Sequence, residues 1–301
     1  MSLDNSHMAM GGVSSVTVPV QGTPMTSFQW TGYSGTFNQP ANMRGMWDGE
    51  WNLCLGVVPI PFLGMEGVVQ LDHAVIPIIE ARMNDAMNVI RDALATYLYT
   101  NYSDLSGIIG LQGAIDDSTL LTTYGNLSRS TYTWWKSVVI NAGTGSLSGT
   151  TYTGTTATPA RDTIQQYINQ IVKSTGEMPT FGLMGFGTWS SLLNSLTSIE
   201  QIHYTPDNNP VHIGVRFRSI DIAGVPIYPD PYCPEGWLFL PNMNYQGLHI
   251  HRNGSFTFSG FQSTIPNFQL GFVGVLVFLA AYVNTKPAAS GKVYGLSYVS
   301  M

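Results

Sequence analysis

Few residues in this chain have types and spacings that could do chemistry. His249-x-His251 would set two imidazoles on one face of an extended strand, where they could bind a metal ion. No Cys or carboxylate lies nearby in sequence to complete a ligand set, so a surface or interface pair is expected. Gly185-x-Gly187 begins like a dinucleotide-binding turn, but Ser190 stands where that pattern needs its third glycine. Asp116-Asp117, just ahead of Ser118, reads as a turn or a helix cap. Arg129 sits among hydroxyl residues and reads as a guanidinium tying loop carbonyls together. Cys54 and Cys233 are the only cysteines and read as ordinary buried thiols. Asn101, Asn126 and Asn253 open N-x-Ser sequons, a chance outcome in a Ser-rich chain. GxSxG, P-loop and HExxH patterns are missing. No catalytic residue, metal site or cofactor follows, and a non-enzymatic role is expected.

Composition narrows the field further. The 301 residues include 18 acidic and 12 basic side chains, a net charge of −6. Charged residues make up 10% of the chain, against about 25% in an average soluble protein. Such a chain is poorly equipped to keep its whole surface in water, which points to a subunit covered by other subunits. Disorder is excluded by 44% hydrophobic and 12% aromatic content. The acidic balance and the lack of a basic run argue against electrostatic nucleic-acid binding. No signal peptide is visible at the start of the sequence. No charge lies between Arg252 and Lys286, but the densest apolar part, Leu270 to Val283, is shorter than the ~20 residues a membrane span needs. It is expected to be a strand buried on both faces, with no membrane role.

The elements that must position these residues follow from periodicity. Residues 1–27 show no sustained period and read as an arm. Residues 28–62 carry β-type residues broken by Gly and Pro and read as a long hairpin or an excursion from the body. Ile76, Ile79, Met83, Met87, Ile90, Leu94, Tyr97 and Leu98 recur at helical spacing. They predict a helix over 74–99 that starts just before Pro77. Thr158-Pro159 predicts a second helix start, with Ile164, Tyr167, Ile168, Ile171 and Val172 as its apolar stripe and Gly176 as its end. A third helix is expected after Thr188. Strands and turns follow from His212 onward. Helices and strands mix without a regular βαβ alternation, so the class is α+β.

Gly110-Leu111 … Tyr124-Gly125-Asn126-Leu127-Ser128-Arg129-Ser130 … Trp134-Trp135 resembles a segment of tailed-bacteriophage major capsid proteins, with Asn126 in place of a second glycine. Phe217-Arg218-Ser219-Ile220 … Gly224-Val225-Pro226-Ile227 … Asp230 … Pro234 … Trp237-Leu238-Phe239-Leu240-Pro241-Asn242 resembles a second segment of that family. The order of elements agrees along nearly the whole chain. The resemblance implies the Hong Kong 97-type capsid fold: an N-terminal arm at 1–27, an extended loop at 28–62, and a peripheral domain at 63–175 with the spine helix. An axial domain at 176–256 and return strands at 257–301 complete it. The extended loop then offers Trp30, Arg44, Trp47 and Trp51 as contacts between subunits.

The resemblance also implies a function. Copies would form homo-pentamers and homo-hexamers of an icosahedral shell around double-stranded DNA, without sequence-specific binding. A portal and a separate scaffolding protein would be partners, with assembly in the host cytoplasm and a final place in the virion. Two other readings fit the sequence. One is a nanocompartment (encapsulin-like) shell around a cargo enzyme. The other is an uncharged β-rich binding module, against which the long helix and the missing signal peptide argue. Some shells of the family are locked by a lysine on the extended loop, but residues 1–135 contain no lysine. Non-covalent contacts are therefore expected there.

Overall fold

The computed structural model describes residues 14–22, 33, 45–63, 72–100, 107–143, 146–147, 150–151, 158–196, 219–263 and 271–300. In chain order, β1 (Ser15–Gln21) pairs antiparallel with β2 (Met46–Asn52), and β3 (Cys54–Leu63) leads to the helix α1 (Asp72–Thr100). A short helical turn α2 (Leu111–Ala114), the two-residue strands β4 (Thr123–Tyr124) and β5 (Leu127–Ser128), and β6 (Val138–Asn141) follow. Next come β7 (Ser146–Leu147), β8 (Thr150–Thr151), α3 (Arg161–Thr175), β9 (Gly182–Met184) and α4 (Phe186–Leu196). The chain ends in β10 (Ile220–Ile222), β11 (Val225–Pro229), β12 (Trp237–Leu240), β13 (Gln246–Ile250), β14 (Thr257–Ser263), β15 (Gly271–Asn284) and β16 (Gly291–Tyr294). The class is α+β, as expected.

Two sheets carry the architecture. One has six strands in the order β10-β11-β9-β12-β16-β6. Strand alternation gives it two different faces. Met184, Leu238, Leu240 and Val293 point to a core shared with Ile164, Tyr167, Ile168 and Ile171 of α3 and Leu192 of α4. Leu183, Trp237 and Phe239 point the other way, to the core that includes the end of α1, where Tyr99 meets the Phe239 ring at 5.7 Å. The second sheet is built around β15. β3 runs along one edge of β15, while β13 and β14 share its other edge end to end. The apolar face of α1, including Met83, Met87, Ile90, Leu94 and Leu98, packs on this sheet's core.

Several local expectations shift. The long helix begins at Asp72, so Pro77 lies beyond the first turn and forgoes one backbone hydrogen bond there. Tyr97, read as part of the apolar stripe, is exposed, and Ala86 takes a buried place instead. α3 starts at Arg161 after Ala160, two residues beyond the predicted cap, and no side chain caps it. Gly176 ends it in a left-handed conformation (φ 74°), its N–H donating to Val172 O. β15 is buried residue by residue only over Ala280–Asn284; its first half alternates.

Sheet membership crosses the expected domain limits. α3, expected in the peripheral domain, packs on the six-stranded sheet. β16, among the expected return strands, belongs to that same sheet. β13, within the expected axial domain, pairs with β15. The described part of the extended loop is strand on the body: β2 against β1, and β3 against β15. Residues 23–32 and 34–44 lie outside the described residues. No helix among the described residues is long and apolar enough to cross a membrane.

Candidate functional site

The Gly110–Trp135 segment is where the chain concentrates its buried polar chemistry. Gly110 is needed because a Cβ there would lie 2.3 Å from Leu98 O at the end of α1. Gly125 and Asn126 link β4 to β5 with φ of 57° and 58°. Two consecutive left-handed residues make the hairpin turn that suits twisted strands, and Asn tolerates that conformation better than other side chains. This accounts for Asn126 where the resembled pattern has glycine. A Cβ on Gly125 would lie 2.7 Å from the Trp51 ring. Trp135 donates its Nε1–H to Tyr124 O at 2.9 Å. The Tyr124 hydroxyl donates to Tyr282 O at 3.3 Å and accepts the Asn284 N–H at 3.0 Å, fastening the turn to β15.

Beneath the turn lies a triad of charges. Arg129, Asp116 and Lys292 have side chains at most 1% exposed. Lys292 Nζ donates to Asp116 Oδ1 at 2.8 Å and to Gln112 O at 2.8 Å. Arg129 donates to Leu121 O at 3.1 Å and to Gly113 O and Ala114 O at 2.9 Å each. Its guanidinium is 3.8 Å from Asp116 Oδ2 and 4.9 Å from the Tyr124 ring centre. Asp116 Oδ2 also accepts the N–H groups of Ser118, Leu120 and Leu121 at 3.0–3.1 Å. The two cations thus satisfy carbonyls of α2 and its flanking loop that have no helical partner.

Burial works against ionisation of Asp116, but the hydrogen bond and charge of Lys292, aided by the Leu121 and Leu120 N–H groups, hold its carboxyl below the ordinary value. Burial pulls the Lys292 amine below its ordinary value, against the pull of Asp116. The readings of Asp116 as a turn residue and of Arg129 as a tie between carbonyls describe this geometry. The partner that sequence reasoning missed is Lys292, on the six-stranded sheet. Its one signal was a lysine placed inside an apolar strand in a chain that has only four.

The other motifs resolve into structure. Glu235 accepts the N–H groups of Gly187 and Thr188 at 3.0 Å each and the Thr188 hydroxyl at 3.1 Å, capping α4. A Cβ on Gly185 would lie 2.7 Å from the Glu235 carboxylate, so Gly185-x-Gly187 makes room for that cap. His251 lies just beyond β13 and accepts the Asn253 N–H on Nδ1 at 3.2 Å. Among the described residues, no three His, Cys, Asp or Glu side chains gather as a metal site. Neither cysteine forms a disulfide; Cys233 is buried, and burial pushes its thiol well above the usual range.

Of the four residues expected at subunit contacts, Trp30 and Arg44 lie outside the described residues. Trp51 packs within its own chain. It is 3% exposed, with its ring 5.7 Å from Tyr124 and 6.4 Å from Trp135 in the chain's own core. Trp47 is half-buried against Trp134 at 5.0 Å and Tyr132 at 5.6 Å. Both tryptophans thus pack the β1–β2 pair onto the segment that carries Asp116 and Arg129.

No family model and no curated protein matches the chain. Solved structures do. A chain of the cyanophage A-1(L) capsid asymmetric unit superposes with a TM-score of 0.67 at 13% identity, covering 96% of this chain and 90% of that one. The capsid of an empty GTA particle gives a TM-score of 0.58 at 8% identity, covering 97% and 95%. The holo-SrpI encapsulin complex from Synechococcus elongatus gives 0.56 at 9% identity, covering 98% and 89%. Two sheets, a long helix and a near-complete superposition lead to one conclusion: this chain has the Hong Kong 97-type fold of phage capsids.

Proposed function

We propose that the chain is a major capsid protein whose copies form pentamers and hexamers of an icosahedral shell around double-stranded DNA. The observation that carries this reading is the superposition of 96% of the chain on a phage capsid subunit. The charge content supports it, because a subunit flanked by copies of itself needs little charged surface. In this reading the six-stranded sheet with α3 and α4 is the axial domain. The β15 sheet with α1 is the peripheral domain. Trp30, Arg44 and the exposed part of Trp47 belong to the loop that meets a neighbour. A portal and a separate scaffolding protein complete assembly in the host cytoplasm. The DNA is held without sequence recognition, as suits a chain of net charge −6.

Size-exclusion chromatography and negative-stain imaging of the purified protein test the reading. Closed particles of uniform diameter are expected. A stable 32.8 kDa monomer at every salt and protein concentration would overturn it. Particles boiled in denaturant with reductant should run as one monomer band, since the loop region has no lysine to supply an amine. The encapsulin superposition supports a second reading, a nanocompartment around a cargo enzyme. Nuclease-protected DNA in particles from the native host separates the two: viral DNA supports the capsid, and a packaged protein supports the nanocompartment.

A further inference from the structure

The outer edge of β3 is open along half its length. In an antiparallel strand, alternate residues turn their N–H and C=O groups to the same edge. Pro61 O accepts Arg82 Nη1 at 2.8 Å, so the odd-numbered residues of β3 face away from β15. Val275, opposite Pro59, sends its N–H the other way, to Ser259 Oγ at 3.1 Å, so that pair exchanges no ladder bond. Pro59 and Pro61 offer no N–H to the outer edge, and with Arg82 they close its second half to another strand. Leu55 and Val57 occupy the first half. Among the described residues, their outward N–H and C=O groups meet no partner. An uncharged groove of about 290 Å³ runs beside them, with Ile90, Ala93 and Tyr97 of α1 on its far wall.

We infer that residues 10–13 of the same chain add to this edge as a backward continuation of β1. The register decides it. Ser15 faces Asn52 and Gln21 faces Met46 across β1 and β2, and Leu53 N–H donates to Ser14 O at 3.1 Å. Carried past Leu53, that register sets Gly12 opposite Leu55 and Met10 opposite Val57. The direction of the bonds agrees. Glu50 turns its N–H to Gly125 O and Leu53 turns its own to β1, so the odd-numbered residues face β1. Gly12 and Met10 are thus the residues that would exchange bonds with the open groups. The ladder loses its donor after Val57, because Pro59 has no N–H. Composition suits the place: Met8-Ala9-Met10-Gly11-Gly12-Val13 has no charge, and neither has the groove. Residues opposite each other in paired strands share a face. Met10 would join exposed Val57 on the outward face, and the small Ala9 and Gly11 would turn toward α1. The β1–β2 pair and the β15 sheet would then be one continuous surface, with the arm leaving the body ahead of residue 10. The inference concerns a single chain and does not depend on the shell reading.

The test is a pair of cysteines across the added ladder, in the full chain with Cys54→Ser. Met10→Cys with Val57→Cys sets two Cα atoms about 5.5 Å apart, within reach of a disulfide. Ala9→Cys with Val57→Cys is one residue out of register and on opposite faces. Both are treated with oxidised glutathione as dissociated subunits, denatured, and run on a gel without reductant. The first pair is expected to close within one chain, as a monomer band whose digest holds the linked peptide, at least tenfold more than the second. Equal linking in both pairs, or none in either, overturns the inference. A disulfide-linked dimer from the first pair also overturns it, since the segment then comes from another copy. Amide hydrogen exchange in dissociated subunits of the unsubstituted chain gives a second reading. Leu55 and Val57 should exchange at least tenfold more slowly there than in Met10→Pro, which removes the N–H facing Val57. Equal rates overturn the inference even where the cysteine variants fold poorly.

Discussion

The six-stranded sheet and the β15 sheet are both rich in apolar strand residues, yet the chain covers them differently. The six-stranded sheet has α3 and α4 on one face, and the end of α1 with the Gly110–Arg129 segment near the other. Its second face is closed so fully that a lysine is buried there. The β15 sheet has α1 on one face and a row of exposed valine, leucine and proline on the other. One region is complete within a single chain. The other leaves one face partly open. The same apolar residue types are therefore fully buried in one place and partly exposed in the other.

The largest expected effect is at the charge triad. Asp116→Ala leaves Lys292 and Arg129 buried without their counter-ion, and should cost about 3–5 kcal/mol in urea unfolding of dissociated subunits. A loss below about 1 kcal/mol would mean that the cations find water, so that this face is not closed. Acid tests the same site with a definite sign. Asp116 is held below its ordinary 3.8, so its contribution is full above that value. It is lost as pH falls through the folded-state value. The urea midpoint should drop on acidification below 3.8 more steeply in the native chain than in Asp116→Asn.

Core substitutions come next. Ile90→Asp buries an unpaired carboxylate under α1 and should cost several kcal/mol, about 3 or more. Ile168→Ala, in the core of the six-stranded sheet, should cost about 2–4 kcal/mol. Val275→Ala on the outward face should cost the isolated subunit about 1 kcal/mol or less, because its site is already half open. Equal losses for Ile168→Ala and Val275→Ala in calorimetric melts would erase the contrast between the two regions.

Smaller effects sharpen it. Asn126→Ala puts a side chain that disfavours left-handed backbone at φ 58° and should cost about 1 kcal/mol, while Asn126→Gly should be near neutral. If both variants melt with the native chain, the turn does not matter to the clamp below it. Arg91→Ala, on the exposed side of α1, should change unfolding by less than about 0.5 kcal/mol. A larger loss would place the helix face wrongly.

The sequence by itself determined what depends on near neighbours. α1, α3 and α4 follow from apolar residues three and four apart, which face one side of a helix wherever it is packed. The Tyr124–Leu127 turn follows from Gly-Asn, and the charge shortage is plain from composition. Start positions slipped by two or three residues: no side chain caps α3, and the cap of α4 is Glu235, which lies far away in sequence. The tertiary structure alone decided what joins distant positions. Lys292 and Asp116 are 176 residues apart, and no periodicity links them. β13 and β12 are close in sequence yet join different sheets, since strand pairing is chosen by which edges meet. Trp51, offered by the sequence as a subunit contact, closes over Gly125 of its own chain. An aromatic side chain on a strand can serve a core or an interface equally well. Which one it serves is settled by what the fold places against it.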